Sequence, residues 1–315
     1  MNPRIPSRPI SLPLVVAAAF WLIAADDAKD ITETLGMDFS TTKIEIVPAR
    51  GPVSMLVGQG GNIGVSVGGD GVFMVDDQFA PLTERIITAV QTLSDKPIQY
   101  VINTHWHYDH AGGNRNLGKR GIPLVAHDNA RQRLVAGQVL EPFGLEILPE
   151  PDVGLPEITF SDTLTFHLNG ESVRVFHVEN AHTDGDSIVH FQGSNVIHMG
   201  DTYFNGIYPF VDVSSGGSVA GMLRAVDRVL ALADDQTKII PGHGPMSKRE
   251  ELMAYRDMLV TVKERVSAGI NNGKSANQMV EEKILMDLDP HWGNGMLKAP
   301  IIIRIMHTDL TRNAD

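Results

Sequence analysis

From residue 44 onward, short apolar runs alternate with glycine-bearing turns. Residues 44–47, Val53–Val57, 63–67 and 72–75 each read as a strand, and "GGDG" (68–71) folds the third run back onto the fourth. This is a meander of hairpins. After Pro81 the period lengthens: Leu82, Ile86, Val90 and Leu93 fall on one helical face, and Pro97 ends that run before the strand "IQYVIN". A strand at 122–126 and a helix at 128–135 repeat the alternation. A second series of strands is predicted at 158–168, 172–178, 187–192 and 195–199, followed by a helix over Val219–Leu232 and the strand "TKIIP". Two strand-rich halves, each finished by helices, predict an α/β protein with two sheets packed face to face and helices outside.

The last 65 or so residues read as helical. Ser247 with Glu250, and Ser275 with Gln278, have the spacing of a capping box. "APIIIRIMHTDL" is long enough for a final buried helix or strand. No internal repeat stands out, and no linker is long or polar enough to require a second globular unit. The expected layout is a signal segment at 1–25, one sandwich domain at 43–246, and a helical extension at 247–315 packed on the same domain.

The signal segment rests on Arg4 and Arg8, the uncharged run 12–25 (LPLVVAAAFWLIAA), and the two aspartates that follow, Asp26 and Asp27. A basic start, a short apolar stretch and small residues at its end describe a secretory leader. The run is short for a bilayer span, which makes an uncleaved anchor the weaker reading. Cleavage after Ala25 or after Ala28 fits. The expected address is periplasmic or secreted, with no stable membrane anchoring after processing.

Composition narrows the chemistry. The formal charge is −12, and loss of Arg4 and Arg8 with the leader takes it to −14. No cluster of lysine and arginine offers itself to a phosphate backbone, so a nucleic-acid partner is not expected. The chain contains no cysteine. Any metal must therefore be held by imidazole and carboxylate, which suit zinc, iron or manganese.

One stretch concentrates such ligands. "NTHWHYDHAGGN" (103–114) places His105, His107, Asp109 and His110 just beyond a buried-looking strand. If the chain stays extended there, His105 and His107 point the same way and can share one cation, while Asp109 and His110 reach a second. Three further polar residues come off strand ends into glycine-containing turns: His182 in "HTDGD", Asp201 in "MGD" and His243 in "PGHG". Sheet ends are where an α/β protein gathers a site.

These motifs, in this order, resemble the metallo-β-lactamase superfamily, whose fold is an αββα sandwich. The resemblance runs over "HWHYDH" (105–110), "HTDGD" (182–186), "GD" (200–201) and "PGHG" (241–244), roughly residues 53–245. It implies that His105, His107 and His182 hold one metal and that Asp109, His110 and His243 hold another. Asp201 would bridge the two. Two divalent cations about 3.5–4 Å apart can pin a hydroxide at neutral pH and steady the oxyanion formed on attack. Asp109, beside that nucleophile, is placed to handle a proton for the leaving group.

The other polar residues carry plainer expectations. His127, His167, His177, His190, His198, His291 and His307 belong to no matched motif and read as structural. Asp186 is expected to steady a loop or a ligand histidine by hydrogen bonding. Gly112 and Gly113 are expected to let the backbone turn away from the site. Asp76 and Asp77 either orient ligands or sit in a solvated turn. Trp106 and Tyr108 are expected to pack away from the histidines. Tyr203, Phe204, Tyr208 and Phe210 line a substrate pocket or the core.

The function that follows is an exported hydrolase with two metals, zinc first and iron or manganese as alternatives. It would attack the carbonyl of an ester, lactone, thioester or β-lactam in a small-molecule substrate. A β-lactamase proper fits the exported address, but dedicated members of that group generally lack the bridging aspartate, which resembles the hydroxyacylglutathione hydrolases and lactonases. An iron-dependent redox enzyme of the same fold and a non-catalytic periplasmic metal-binding accessory protein are the remaining alternatives. The sequence leaves oligomeric state open.

Overall fold

A computed structural model describes Thr32 and residues 36–140 and 144–312. The signal segment expected at 1–25 lies outside the described residues. The first sheet has seven strands, in spatial order Glu45–Arg50, Val53–Val57, Ile63–Gly68, Gly71–Val75, Ile98–Ile102, Leu124–His127 and Ile158–Phe160. Its first four strands are antiparallel hairpins; from Gly71–Val75 onward the neighbours run parallel. The second sheet orders Thr163–Leu168, Glu171–His177, Ser187–Phe191, Val196–His198 and Lys238–Ile240, with only the last pair parallel.

Alternate residues of these strands serve two cores. Met55, Phe73, Val75 and Ile102 of the first sheet meet Val173, Val175, Val189 and Phe191 of the second in the layer between the sheets. Their sequence neighbours Leu56, Val72, Met74 and Val101 face outward, onto Leu82, Ile86 and Val90 around the helix Thr83–Leu93. On the other side Phe176, Ile188, Ile197 and Ile239 pack beneath the helices Val219–Leu232, Arg249–Asn271 and Ala299–Thr311. Strands apolar on both faces must be covered on both faces. The result is the four-layer αββα sandwich.

The C-terminal helices belong to that outer layer: Arg249–Asn271 lies against Val219–Leu232, and Ala299–Thr311 lies against Arg249–Asn271. Among the described residues no helix is long and apolar enough to cross a membrane.

Two element expectations are corrected. The strand expected over 158–168 is two strands in different sheets, separated by Ser161 and Asp162. Ser161 O accepts from His127 Nε2 (3.1 Å) and Asp162 O from His177 N–H (2.8 Å), which fastens this corner to both sheets. The capping box expected at Ser247 and Glu250 shifts by one residue. Both backbone polar groups of Ser247 pair with Ile239. The helix therefore starts after Lys248, whose N–H donates to the Glu251 carboxylate at 3.0 Å. Ser275 and Gln278 form their box as expected.

Parallel pairing fixes where the candidate ligands meet. Val75 is registered with Ile102, so Asp76 and Asn103 leave the first sheet side by side; His198 is registered with Ile240, so the turns carrying Asp201 and His243 emerge together from the second. Strand ends from both sheets thus share one edge of the sandwich.

Candidate metal centre

Beyond Ile102 the backbone does not stay extended. It bends through residues 104–106 and enters a one-turn helix, Tyr108–Ala111. His105 and His107 still converge, through the bend instead of a two-residue period: His105 Nε2 lies 3.1 Å from His107 Nδ1. His182 Nε2, from the turn after Glu171–His177, lies 2.9 Å from the same Nδ1. Asp109, His110 and His243 form a second group, with His243 Nε2 3.1 Å from Asp109 Oδ2 and 3.4 Å from His110 Nε2.

Asp201 stands between the two groups and divides its oxygens between them. Oδ2 faces the first, 3.5 Å from His182 Nε2 and 4.0 Å from His105 Nε2. Oδ1 faces the second, 2.9 Å from His110 Nε2 and 3.4 Å from His243 Nε2. The structure therefore gathers all seven residues singled out in the sequence into one centre.

The outward ring nitrogens explain which way the lone pairs point. His107 Nε2 meets Asp212 Oδ2 at 3.0 Å, His182 Nδ1 meets the Phe210 carbonyl at 2.9 Å, and His110 Nδ1 meets Asp76 Oδ2 at 2.7 Å. His105 Nδ1 lies 3.1 Å from Thr104 Oγ1, which donates to Asp76 Oδ2 at 2.9 Å. Each of these acceptors calls for the ring proton on its own side. The inward nitrogens of the first group are left as three lone pairs, those of His105 and His182 each about 3 Å from that of His107. Mutual repulsion there is relieved by a cation, and imidazole with carboxylate is the donor set that zinc, iron or manganese takes. Asp201 Oδ1, though close to His110, accepts no well-directed hydrogen bond, as suits an oxygen sharing a cation with the ring. The residues present fit a pair of metal ions.

Electrostatics separates the two groups. Burial, helped by the neighbouring His110 and His182 rings, holds His105 well below the usual histidine range, and burial lowers His182 to about 4. In the second group burial also opposes charge, but carboxylates outweigh it: Asp201 and Asp109 raise His243 to about 10, and with Asp76 they raise His110. Asp109 itself, against its burial, is lowered to about 2 by His110 and His243.

Asp76 and Asp77 are fully buried, which rules out a solvated turn for them. Asp76 adopts φ +66, a left-handed conformation uncommon for aspartate. There its two oxygens accept from Thr104 N–H (2.7 Å), Thr104 Oγ1 and His110 Nδ1. Asp186 accepts from Thr183 N–H (2.8 Å) and Oγ1 (2.7 Å), bracing the turn that carries His182. Burial raises it to about 8.

Gly112 and Gly113 have ordinary negative φ, so conformational freedom is not their role. Gly112 instead permits a close approach: a Cβ there would fall 2.4 Å from Tyr108 O and 3.0 Å from Gln78 O. Of the remaining histidines, His198 bonds Asn62 O and Gly200 N–H, and His127 stacks on His177 with ring centroids 3.7 Å apart.

Sequence reasoning passed over Asp212 and Thr104. Asp212 had one available signal, a lone acid between Val211 and Val213 in an otherwise apolar stretch, which marks a buried carboxylate in need of a partner.

The centre forms the floor of a cavity of about 440 Å³. His107, Asp109, Asp201 and His243 reach its base; Phe79, Trp106, Phe204, Tyr208 and Phe210 are among its walls. Trp106 and Tyr108, expected to pack away from the histidines, border the cavity as well, and Trp106 lies edge-on to His107 at 4.6 Å. Tyr203 does not border it and packs on Tyr255.

The sequence pattern of the Metallo-beta-lactamase superfamily matches residues 56–243. A hydroxyacylglutathione hydrolase of Pelagibacter ubique is 28% identical over 158 residues, covering 49% of this chain and 56% of that protein. The chain spans about half the length of the curated relatives it matches. Among solved structures, a metallo-beta-lactamase from Pontibacter korlensis has a TM-score of 0.58 at 18% identity, over 69% of this chain and 99% of its own. The sec-alkyl sulfatase PisA1 has a TM-score of 0.62 at 16% identity, over 87% of this chain and 52% of its own. Those two likenesses are of fold. The matched span runs from the second strand of the first sheet to His243 and takes in all seven clustered residues, and on that match this chain belongs to the metallo-beta-lactamase superfamily.

Proposed function

We propose that this protein is an exported hydrolase that uses two divalent cations, zinc foremost, to cleave an ester, lactone, thioester or lactam. The observation that carries the proposal is Asp201, whose two oxygens are addressed to two separate groups of inward-facing nitrogens. Export would be accompanied by cleavage after Ala25 or after Ala28, so mature protein should begin at Asp26 or Lys29. N-terminal sequencing of material from the cell envelope checks this.

His105, His107 and His182, with Asp109, His110, His243 and the shared Asp201, would hold the cation pair, which would supply a hydroxide at neutral pH and polarise a carbonyl oxygen. The chain's own groups do the rest. Asp212, Phe210 and Thr104 fix the ring orientations of His107, His182 and His105, while Asp76 fixes His110. Asp201 places negative charge where two cations would otherwise repel. Asp109, ionised and open to the cavity, accepts the proton given up by the attacking water and returns it to the leaving oxygen, sulfur or nitrogen as the carbonyl–heteroatom bond breaks. Trp106, Phe204 and Phe210 exclude bulk water around the reacting carbonyl.

The test is a panel of a cephalosporin, a lactone, a thioester, an ester and a phosphodiester, run on chelated protein and on the same protein reloaded with zinc. Hydrolysis of at least one carbonyl substrate that disappears with the metal and returns with it is expected. Activity that survives full chelation, or iron-dependent oxygen uptake without hydrolysis, overturns the proposal.

A further inference from the structure

The walls of the cavity above the centre are mostly apolar, with Gln59 among the polar side chains that border it. Around the metal-facing residues it is lined by Met37, Leu140, Ile147, Phe204, Phe210 and Leu297, and among the described residues no lysine or arginine borders it. The charged groups that reach it besides the histidines are Asp109 and Asp201, both part of the metal centre. The Tyr208 hydroxyl, one of the few polar groups on the wall, is already committed to Asp289 Oδ1 at 3.1 Å.

Part of the rim is built outside the segment that matches the superfamily, and the rest of the wall lies within it. Met37 precedes residue 56, and Leu297 with the exposed Met296 follows residue 243. The hairpin of Gln138–Leu140 and Leu145–Ile147 contributes Leu140 and Ile147. The matched segment therefore supplies the floor and most of the wall, and Met37, Met296 and Leu297 complete the apolar rim from outside it.

Resting on the hydrolase reading above, we propose that this pocket selects substrates whose acyl or alkyl part is uncharged and apolar: neutral aliphatic esters and lactones. A carboxylate carried away from the scissile bond has no cation to meet on the wall and would be desolvated against Met37, Leu140, Ile147 and Leu297. Glutathione thioesters carry such carboxylates several bonds from the scissile carbonyl. They are disfavoured here for that reason, although the floor of the site could attack their carbonyls.

The experiment uses the full mature protein reloaded with zinc and compares ethyl esters from acetate to octanoate with the matching half-esters of dicarboxylic acids. The specificity constant kcat/KM should rise about fourfold per methylene until the cavity is filled. Each half-ester should fall more than about tenfold below the neutral ester of equal length. Met296→Lys, on the exposed rim, should narrow that gap by improving the half-esters. A second arm needs no turnover: calorimetric titration of metal-free protein should show octanamide binding far more tightly than acetamide. A flat chain-length profile, or a preference for half-esters, overturns the inference while leaving the hydrolase reading in place. Octanamide binding no tighter than acetamide overturns it independently of activity. Loss of hydrolysis across all esters with zinc bound overturns the hydrolase reading instead.

Discussion

His107 Nε2 stands 3.0 Å from Asp212 Oδ2, a fully buried carboxylate 105 residues further along the chain. Asp212 is held ready by Ser215 N–H at 3.1 Å and the Ser214 hydroxyl at 2.5 Å. Against the effect of burial, the His107 hydrogen bond keeps it well below the usual carboxylate range. Two residues earlier in the same loop, the Phe210 carbonyl orients His182. One short segment thus aims two of the three histidines of the first group.

Asp212→Asn tests that arrangement. An amide nitrogen facing His107 makes Nε2 an acceptor and moves the ring proton to Nδ1, where it points into the cluster. Affinity for the first zinc should drop about tenfold to a hundredfold, while far-UV circular dichroism of the metal-free protein stays unchanged. Competition with a chromophoric chelator measures it. Unchanged affinity would mean that the tautomer of His107 is set by something else.

The opposed shifts of the two histidine groups predict an asymmetry in metal loading. His105 and His182 are lowered and already neutral at pH 7, so the cation that takes them displaces few protons from those rings. His110 and His243 are raised, the latter to about 10, and both carry protons at pH 7. Loading there should release up to about two protons and weaken steeply as pH falls. Calorimetry in buffers of different ionisation enthalpy reads the release at each step. In metal-free protein the same ion pairs add stability that is complete between about pH 3.8 and 6.5, lost as pH rises toward about 10 and lost as it falls toward about 2. Equal proton release at both steps contradicts this account.

Gly242 marks the tightest approach to the bridge. A Cβ there would lie 2.0 Å from Asp201 Oδ1 and 2.6 Å from the Gly200 carbonyl carbon, and the backbone neighbour cannot move aside cheaply. Gly242→Ala should displace Asp201, cut bound metal toward one per chain and lower turnover by more than about a hundredfold, in the range that misplacing catalytic groups costs. Gly69→Ala, which meets nothing within 4 Å, serves as the control and should leave both metal content and turnover unchanged.

The site was legible in the sequence where ligands are dense and illegible where they act alone. His105, His107, Asp109 and His110 draw attention by crowding, and His182, Asp201 and His243 by standing where apolar strands end in glycine turns. Asp212 and Thr104 are single residues whose partners are remote or adjacent in ways no spacing rule encodes. Their roles appear only once the bend at 104–106 brings the His105 and His107 rings together and leaves their far nitrogens facing Thr104 and Asp212. The fold was read from two clear periods, but residues 158–168 defeated that reading. An apolar run looks the same whether it stays in one sheet or crosses between two, and the crossing at Ser161 and Asp162 is fixed by His127 and by the His177 backbone from outside the run. Gly112 and Gly113 misled for a related reason, since a glycine needed for close approach and one needed for a turn are the same letter.

The C-terminal helix is tied to the second outer layer through one buried acid. Asp309 Oδ2 accepts from Val219 N–H at 2.8 Å, at the first turn of Val219–Leu232, where Ser218 Oγ also accepts from Gly221 N–H at 2.9 Å. Ser218→Ala should cost about 1 kcal/mol. Asp309→Ala should cost about 1–3 kcal/mol, because it leaves a buried N–H without a partner. Urea unfolding monitored by tryptophan fluorescence gives both values, and an Asp309→Ala protein as stable as the parent would show that this tie contributes nothing.

Asp201 joining two cations is the feature from which the rest of the site's chemistry follows. X-ray absorption on protein saturated with zinc tests this most directly, combined with elemental analysis of the same sample. Two zinc ions per chain, with a metal–metal vector of about 3.5–4 Å that is lost in Asp201→Ala, is the predicted result. A single zinc at saturation, or two with no metal neighbour within that distance, would contradict it.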